Sequence, residues 1–181
     1  MDTTSLNDPW MFGSGLMIAR LVLGVLMVAH GGQKLYGWLG GYGLRGTAGA
    51  FEQIGFRPGL LFATAASVGE LTSGLLVALG LLGPIGPALM ISVMLVAASS
   101  VHWANGLFAM SNGVEVPLLY ATGALALVGP GPFSLDAALA ITSVWTPAIT
   151  FAALAVGVVG GLASLAFRRI PQAAAPEANR A

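Results

Sequence analysis

The sequence predicts an all-α, polytopic transmembrane helix bundle, and three features carry that expectation. Hydrophobic residues make up 56% of the 181-residue chain and charged residues only 8%, whereas soluble domains carry about 25% charged residues. The apolar residues gather into runs of roughly 20, the length a helix needs to cross a bilayer. The basic residues fall in two groups: Lys34, Arg45 and Arg57 after the first run, and Arg168, Arg169 and Arg180 after the last. Membrane insertion favours such residues in loops on one side, so both groups are expected to share a face. Little chain remains for a soluble catalytic domain, and neither a metal centre nor nucleic-acid binding is expected. The chain has no cysteine, which excludes disulfide exchange, thiolate nucleophiles, Cys-ligated iron–sulfur clusters and Cys-based zinc sites.

Residues 1–10, MDTTSLNDPW, contain two aspartates and no Lys or Arg. That is unlike the basic start of a cleaved signal peptide, so the first apolar run is expected to be retained. A core over 11–139 follows, with spans at about 11–29, 60–82, 86–102 and 115–129. Between the first two lies a glycine-rich connection in which Thr47 to Ile54 is expected to form a short interfacial helix. "GPIGP" at 83–87 stops one helix and starts another, making the second and third spans an antiparallel hairpin. The fourth run is short and begins beside Pro117. In "GPGPFSLD", Ser134 and Asp136 are placed to cap a helix start and charge its first turn, with an amphiphilic piece to about Trp145. Residues 140–169 hold an extra C-terminal span, opened by Thr146-Pro147 and stopped at Arg168-Arg169. The tail, 170–181, has the composition of a disordered segment. With the N-terminus opposite both basic groups, the number of spans is odd: five, with N outside and C inside. A four-span arrangement would keep the last apolar run out of the membrane.

Charge inside this bundle needs a reason, because an ionised group at the bilayer centre costs about 2.5–3.5 kcal/mol on insertion scales. Arg20 and Glu70 lie near the middles of the first two spans and are expected to face each other as a buried ion pair, either binding a ligand or fixing helix register. His30, Lys34, His102 and Glu115 are expected at the cytoplasmic rim, with His30 and Lys34 on one helix face if the helix continues through Gly31 and Gly32. Trp103 suits headgroup depth, and Asn105 stands beside it. Alone, each histidine reads as a helix-end donor; together with Arg20 and Glu70 they form a polar path from rim to mid-membrane. Ala153, Gly157 and Gly161, with Gly160 and Ser164, form a stripe that admits close helix packing, either on the other spans or on a partner subunit.

The segments "ARLVLG…HGGQKLYGWLGGYG", "FEQIGF", "VGELTSGLLVALGLLGPIGPALM", "VHWANGLFAMSNGVEVPLLY" and "GPGPFSLDAAL" resemble the DoxX family of small membrane proteins over about Gly15 to Leu139. The family's polar signature positions fall on Arg20, His30, Gly31, Lys34, Glu70, His102, Asn105, Gly106, Glu115 and Asp136. The resemblance implies a four-helix membrane core in a bacterial inner membrane and a role in quinone-linked oxidoreductase systems. Members and their DoxD relatives are described as membrane subunits of thiosulfate:quinone oxidoreductase. The added C-terminal span departs from that pattern, and thiosulfate specificity is not carried over.

The expected function is therefore an integral membrane subunit of a quinone-linked oxidoreductase that takes electrons from a redox protein partner. His30, Glu70 and His102 would exchange protons, and Arg20, Lys34, Trp103, Asn105 and Glu115 would hold the ligand. A non-catalytic anchor or assembly scaffold is the alternative. A subunit carrying haem b on His30 and His102 is a third reading. Membrane lipid is the expected surround, with a redox subunit or a second copy packing on Ala153, Gly157 and Gly161.

Overall fold

A computed structural model describes residues 8–169. The short N-terminal segment up to Asn7 and the tail from Ile170 expected to be disordered lie outside the described residues. The protein is an all-helical bundle: α1 (Pro9–Tyr36), α2 (Gly43–Gln53), α3 (Gly59–Leu79), α4 (Ile85–Ala97), α5 (Glu115–Ala126), α6 (Leu135–Ala138) and α7 (Pro147–Ala166). Helix α4 continues through a π turn at Ala98–His102 and a 3-10 turn at Trp103–Asn105. Four helices are long and apolar enough to cross a membrane: α1, α3, α4 with its extension, and α7. Their outward faces are apolar, as at Val22, Val25 and Leu26 on α1 and Phe151, Val156 and Val159 on α7. Such surfaces require lipid rather than water, and the chain is an integral membrane protein.

Local chemistry sets the helix limits. Asp8 caps α1 by accepting from Trp10 N, and Pro9 occupies the first position, where its missing N–H loses nothing. Thr146 and Pro147 open α7 in the same way. Helix α1 runs unbroken past Ala29 to Tyr36, because Gly31 and Gly32 serve packing rather than termination. A side chain at Gly31 would strike Leu71 and Ser67 of α3, and one at Gly32 would strike Trp38, which folds back over the helix end.

The contacts fix the chain direction. Gly24 meets Gly74 and Gly31 meets Leu71, so α1 and α3 are antiparallel. Gly157 meets Ala88 and Gly161 meets Ser92 and Leu95, so α7 lies parallel to α4. Of the two uses expected for the small-residue stripe, packing on the other spans or on a partner subunit, Gly157 and Gly161 take the first, against α4 of the same chain. Helix α5 has 12 residues, about 18 Å at 1.5 Å per residue, and is too short to cross alone. An extended stretch completes the passage: Tyr120 packs on His30, Gly123 on Leu23, Gly131 on Leu16 and Pro132 on Gly13. Residues 120–132 thus run along α1 antiparallel to it, so the described chain passes along the bundle five times, four times as a helix long enough to cross a membrane and once, fourth in order, only partly as helix. After α7, Arg169 N donates to Gly55 O at 2.8 Å, which brings Arg168 and Arg169 to the end of the bundle that carries α2. The amphiphilic piece between the last two passes is only the four-residue α6 and a 3-10 turn at Thr142–Val144. The apolar core, Met27, Val77, Met90, Met94, Tyr120, Ala124 and Leu127, lies among α1, α3, α4 and α5.

Candidate functional site

Glu70 lies midway along α3, as expected, but its partner is Lys34 and not Arg20. The Lys34 Nζ donates to Glu70 Oε1, joining α1 to α3. The correction follows from helix length. Ending the first span at Ala29 puts Lys34 in a loop; because α1 extends to Tyr36, Lys34 stays on the helix within reach of Glu70, and its side chain extends to the carboxylate. The register that pairs Gly24 with Gly74 then places Arg20 at Gly80, the C-cap of α3.

Arg20 is fully buried and its Nη2 donates to Phe133 O, a carbonyl in the irregular stretch that completes the fourth pass. Backbone without helical bonding is tolerated at membrane depth only where protein satisfies it. Asp136 does the same for the neighbouring turn. Its carboxylate accepts from Leu82 N at 2.8 Å, Gly83 N at 2.7 Å and Trp145 Nε1 at 2.7 Å, and its charge complements that of Arg20. Ser134 caps α6 as expected, accepting from Ala137 N at 3.1 Å. Asp136 is therefore not chiefly a dipole-stabilising residue: it stitches the α3–α4 turn to the segment before α7. Two Arg20 nitrogens, Nε and Nη1, have no partner among the described residues, but Nη1 sits so close to Gly80 that even a methyl group there would collide.

The Lys34–Glu70 pair has different surroundings. The Lys34 side chain is 32% exposed and Glu70 only 1%, and Glu70 Oε2 has no hydrogen-bond partner among the described residues. Lys34 lines a cavity of about 360 Å³ bounded by α2, α3, α4 and α7. Phe51, Phe56 and Phe62 form its aromatic wall, with successive ring centroids 5.7 and 5.0 Å apart. The π turn contributes Ser100, Val101 and His102, a common use of such turns. Thr47 Oγ1 donates to Lys34 O at 3.2 Å and so ties α2 across the cavity's end. Ser67 and Ser73 of α3 bond their own helix backbone. Chemically, the cavity offers an apolar enclosure with an ammonium donor at one edge, a carboxylate behind it with an open acceptor, and an imidazole elsewhere on the wall.

Of the residues expected to form the site, Lys34 and His102 reach the cavity, and Glu70 stands one hydrogen bond behind it. His30 packs edge-on against Tyr120, with ring centroids 5.5 Å apart, and is exposed at the bundle surface. His102 Nδ1 bonds Asn112 O at 2.8 Å, so the two histidines have different neighbours. Asn105 and Glu115 build the loop after α4: Asn105 Nδ2 donates to Val101 O and Asn112 O, and Glu115 Oε2 accepts from Ala109 N at 2.7 Å. Trp103 is 74% exposed. Arg20 belongs to the other end of the bundle. The aromatic wall was not foreseeable as a unit, since its three rings come from α2, the following loop and α3. Tyr120 beside His30 gave no sequence signal either, because a tyrosine in an apolar run reads as packing. Among the described residues no group of three metal-ligating side chains occurs.

The DoxX family profile matches residues 15–103, from the first turns of α1 to Trp103 in the α4 extension. It takes in Arg20, His30, Lys34, Glu70 and His102 but stops short of Glu115 and Asp136. No curated protein and no solved structure matches the chain.

Proposed function

This chain belongs to the DoxX family, and we propose that it is the integral membrane subunit of a quinone-linked oxidoreductase, binding quinone in the cavity lined by Lys34. The observation that carries this reading is a buried carboxylate with an unpartnered oxygen, paired to a lysine on the wall of an apolar cavity. The residues present suit a quinone. At about 360 Å³ the cavity falls in the usual range for small-ligand sites, roughly 300–1,000 Å³, and its aromatic wall suits a flat ring. Quinone reduction consumes two electrons, supplied by a separate redox protein, and two protons. Lys34 donates a hydrogen bond to a ring carbonyl. Glu70 shares its proton economy through Lys34, and the imidazoles of His30 and His102 are the proton carriers that would replenish it. The shared basic face of α2 and the end of α7 supports a bacterial inner-membrane orientation with that face in the cytoplasm.

Binding of a short-chain ubiquinone analogue to the purified protein in nanodiscs tests the reading. Glu70→Gln and Lys34→Gln are each expected to weaken binding about tenfold, the effect of one charge-assisted hydrogen bond of about 1.4 kcal/mol. Unchanged affinity in both, together with unchanged quinone reduction in membranes, would leave the chain as an anchor for its partner.

A further inference from the structure

The seam between α2 and α7 joins features that the cavity does not use. Arg168 Nε donates to Ile54 O at 2.7 Å and Arg169 N donates to Gly55 O at 2.8 Å, which pins the end of α7 to the end of α2. Arg57 follows Gly55 by two residues and is exposed. Three cationic side chains thus start from one small patch. No acceptor among the described residues meets the terminal nitrogens of Arg168, whose Nε bond fixes the base of its guanidinium. Among the described residues no carboxylate forms an ion pair with these arginines; Glu52, the nearest acidic residue in sequence, stands beside the patch with its Oε1 accepting from Gly59 N at 3.1 Å, so three cations face one anion there. Immediately beside the arginines the surface turns apolar, with Phe167, Leu60 and Leu61 at 66%, 55% and 61% exposure.

We infer that this seam holds one anionic phospholipid, its phosphodiester bound by Arg57, Arg168 and Arg169 and its acyl chains lying along Phe167, Leu60 and Leu61. Charge complementarity selects the occupant. Planar guanidinium groups bind phosphate oxygens in pairs, and in this chain they lie where cation meets hydrocarbon, the position of a phospholipid headgroup. A free phosphate or a soluble acidic peptide would use the arginines and leave the apolar strip uncovered. By tying α2 to α7, the lipid would also close the outer side of the two helices that bound the cavity.

Native mass spectrometry of the protein released from phosphatidylcholine nanodiscs containing one-quarter phosphatidylglycerol tests this directly. One phosphatidylglycerol is expected to be retained in preference to phosphatidylcholine. Arg57→Gln, Arg168→Gln and Arg169→Gln should each reduce retention about fivefold, the worth of one basic residue at an anionic surface. Arg45→Gln, on α2 but away from the seam, should leave it unchanged. Glycerophosphoglycerol, the headgroup without its chains, should not displace the lipid. Equal retention of the two lipids, an equal loss with Arg45→Gln, or displacement by the bare headgroup overturns the assignment. Quinone-analogue binding should persist in the three seam variants, so failure here is separable from failure of the cavity reading.

Discussion

The bundle holds two buried ionic clusters, one at each end of the α1–α3 contact, and they differ less in charge than in room. At the Arg20 end, charge answers backbone: Phe133 O, Leu82 N and Gly83 N all find side-chain partners, and Gly80 packs against the guanidinium too tightly for even a methyl group. At the Lys34 end, charge borders a cavity and Glu70 keeps an open oxygen. Both clusters contain unpartnered atoms, so an orphaned polar atom alone does not mark a site. Buried charge has two settings in this protein, holding irregular backbone together at one end and bordering a cavity through Lys34 at the other, where the proposed ligand would bind.

The largest effects are expected where charge holds backbone. Asp136→Ala removes the acceptor of two amides and one indole; with hydrogen bonds to charged groups worth about 1.5–3 kcal/mol each and partly compensated, a loss of about 3–5 kcal/mol is expected in unfolding titrations in mixed micelles. A loss under about 1 kcal/mol would reduce the Asp136 cluster to decoration. Next comes Gly157→Val, which drives a side chain into Ala88 O and should cost about 1–3 kcal/mol of overpacking without changing the oligomeric state. A change of oligomeric state on size-exclusion chromatography would instead return the small-residue stripe to a partner subunit. Replacing the other cluster as a unit, Lys34→Met with Glu70→Leu, should leave stability within about 1 kcal/mol, because apolar isosteres often substitute for buried pairs without loss. Quinone-analogue affinity should nevertheless fall at least about tenfold. A comparable collapse of stability would make this cluster a second structural clamp. Trp103→Ala, at an exposed surface position, should change stability by less than about 0.5 kcal/mol.

These contrasts also show what the sequence could carry. Hydropathy runs and caps gave the helical class and the antiparallel α3–α4 hairpin, because each depends on local composition or on bilayer energetics. With Lys34 read as a rim residue, burial cost marked Arg20 and Glu70 as residues needing partners. It could not say which partner, since a shift in where α1 ends slides every pairing along it, and Gly31-Gly32 reads as a helix stop until α3 and Trp38 are seen to need the space. The partly helical fourth pass was legible as a short run but not as a broken one; its missing bonds are made by Arg20 and the turns around it, 100 or more positions distant in the chain for Phe133. The cavity was invisible because its wall is assembled from four helices.

The central claim is that ligand chemistry belongs to the Lys34 end alone. Photolabelling with an azidoquinone, followed by peptide mapping, tests it most directly. Label should appear on the segments carrying Phe51 to Phe62 and Ser100 to Trp103, and should disappear in the Lys34→Met, Glu70→Leu double variant. Label retained at full yield in that variant, or concentrated around Arg20 and Phe133, would contradict it.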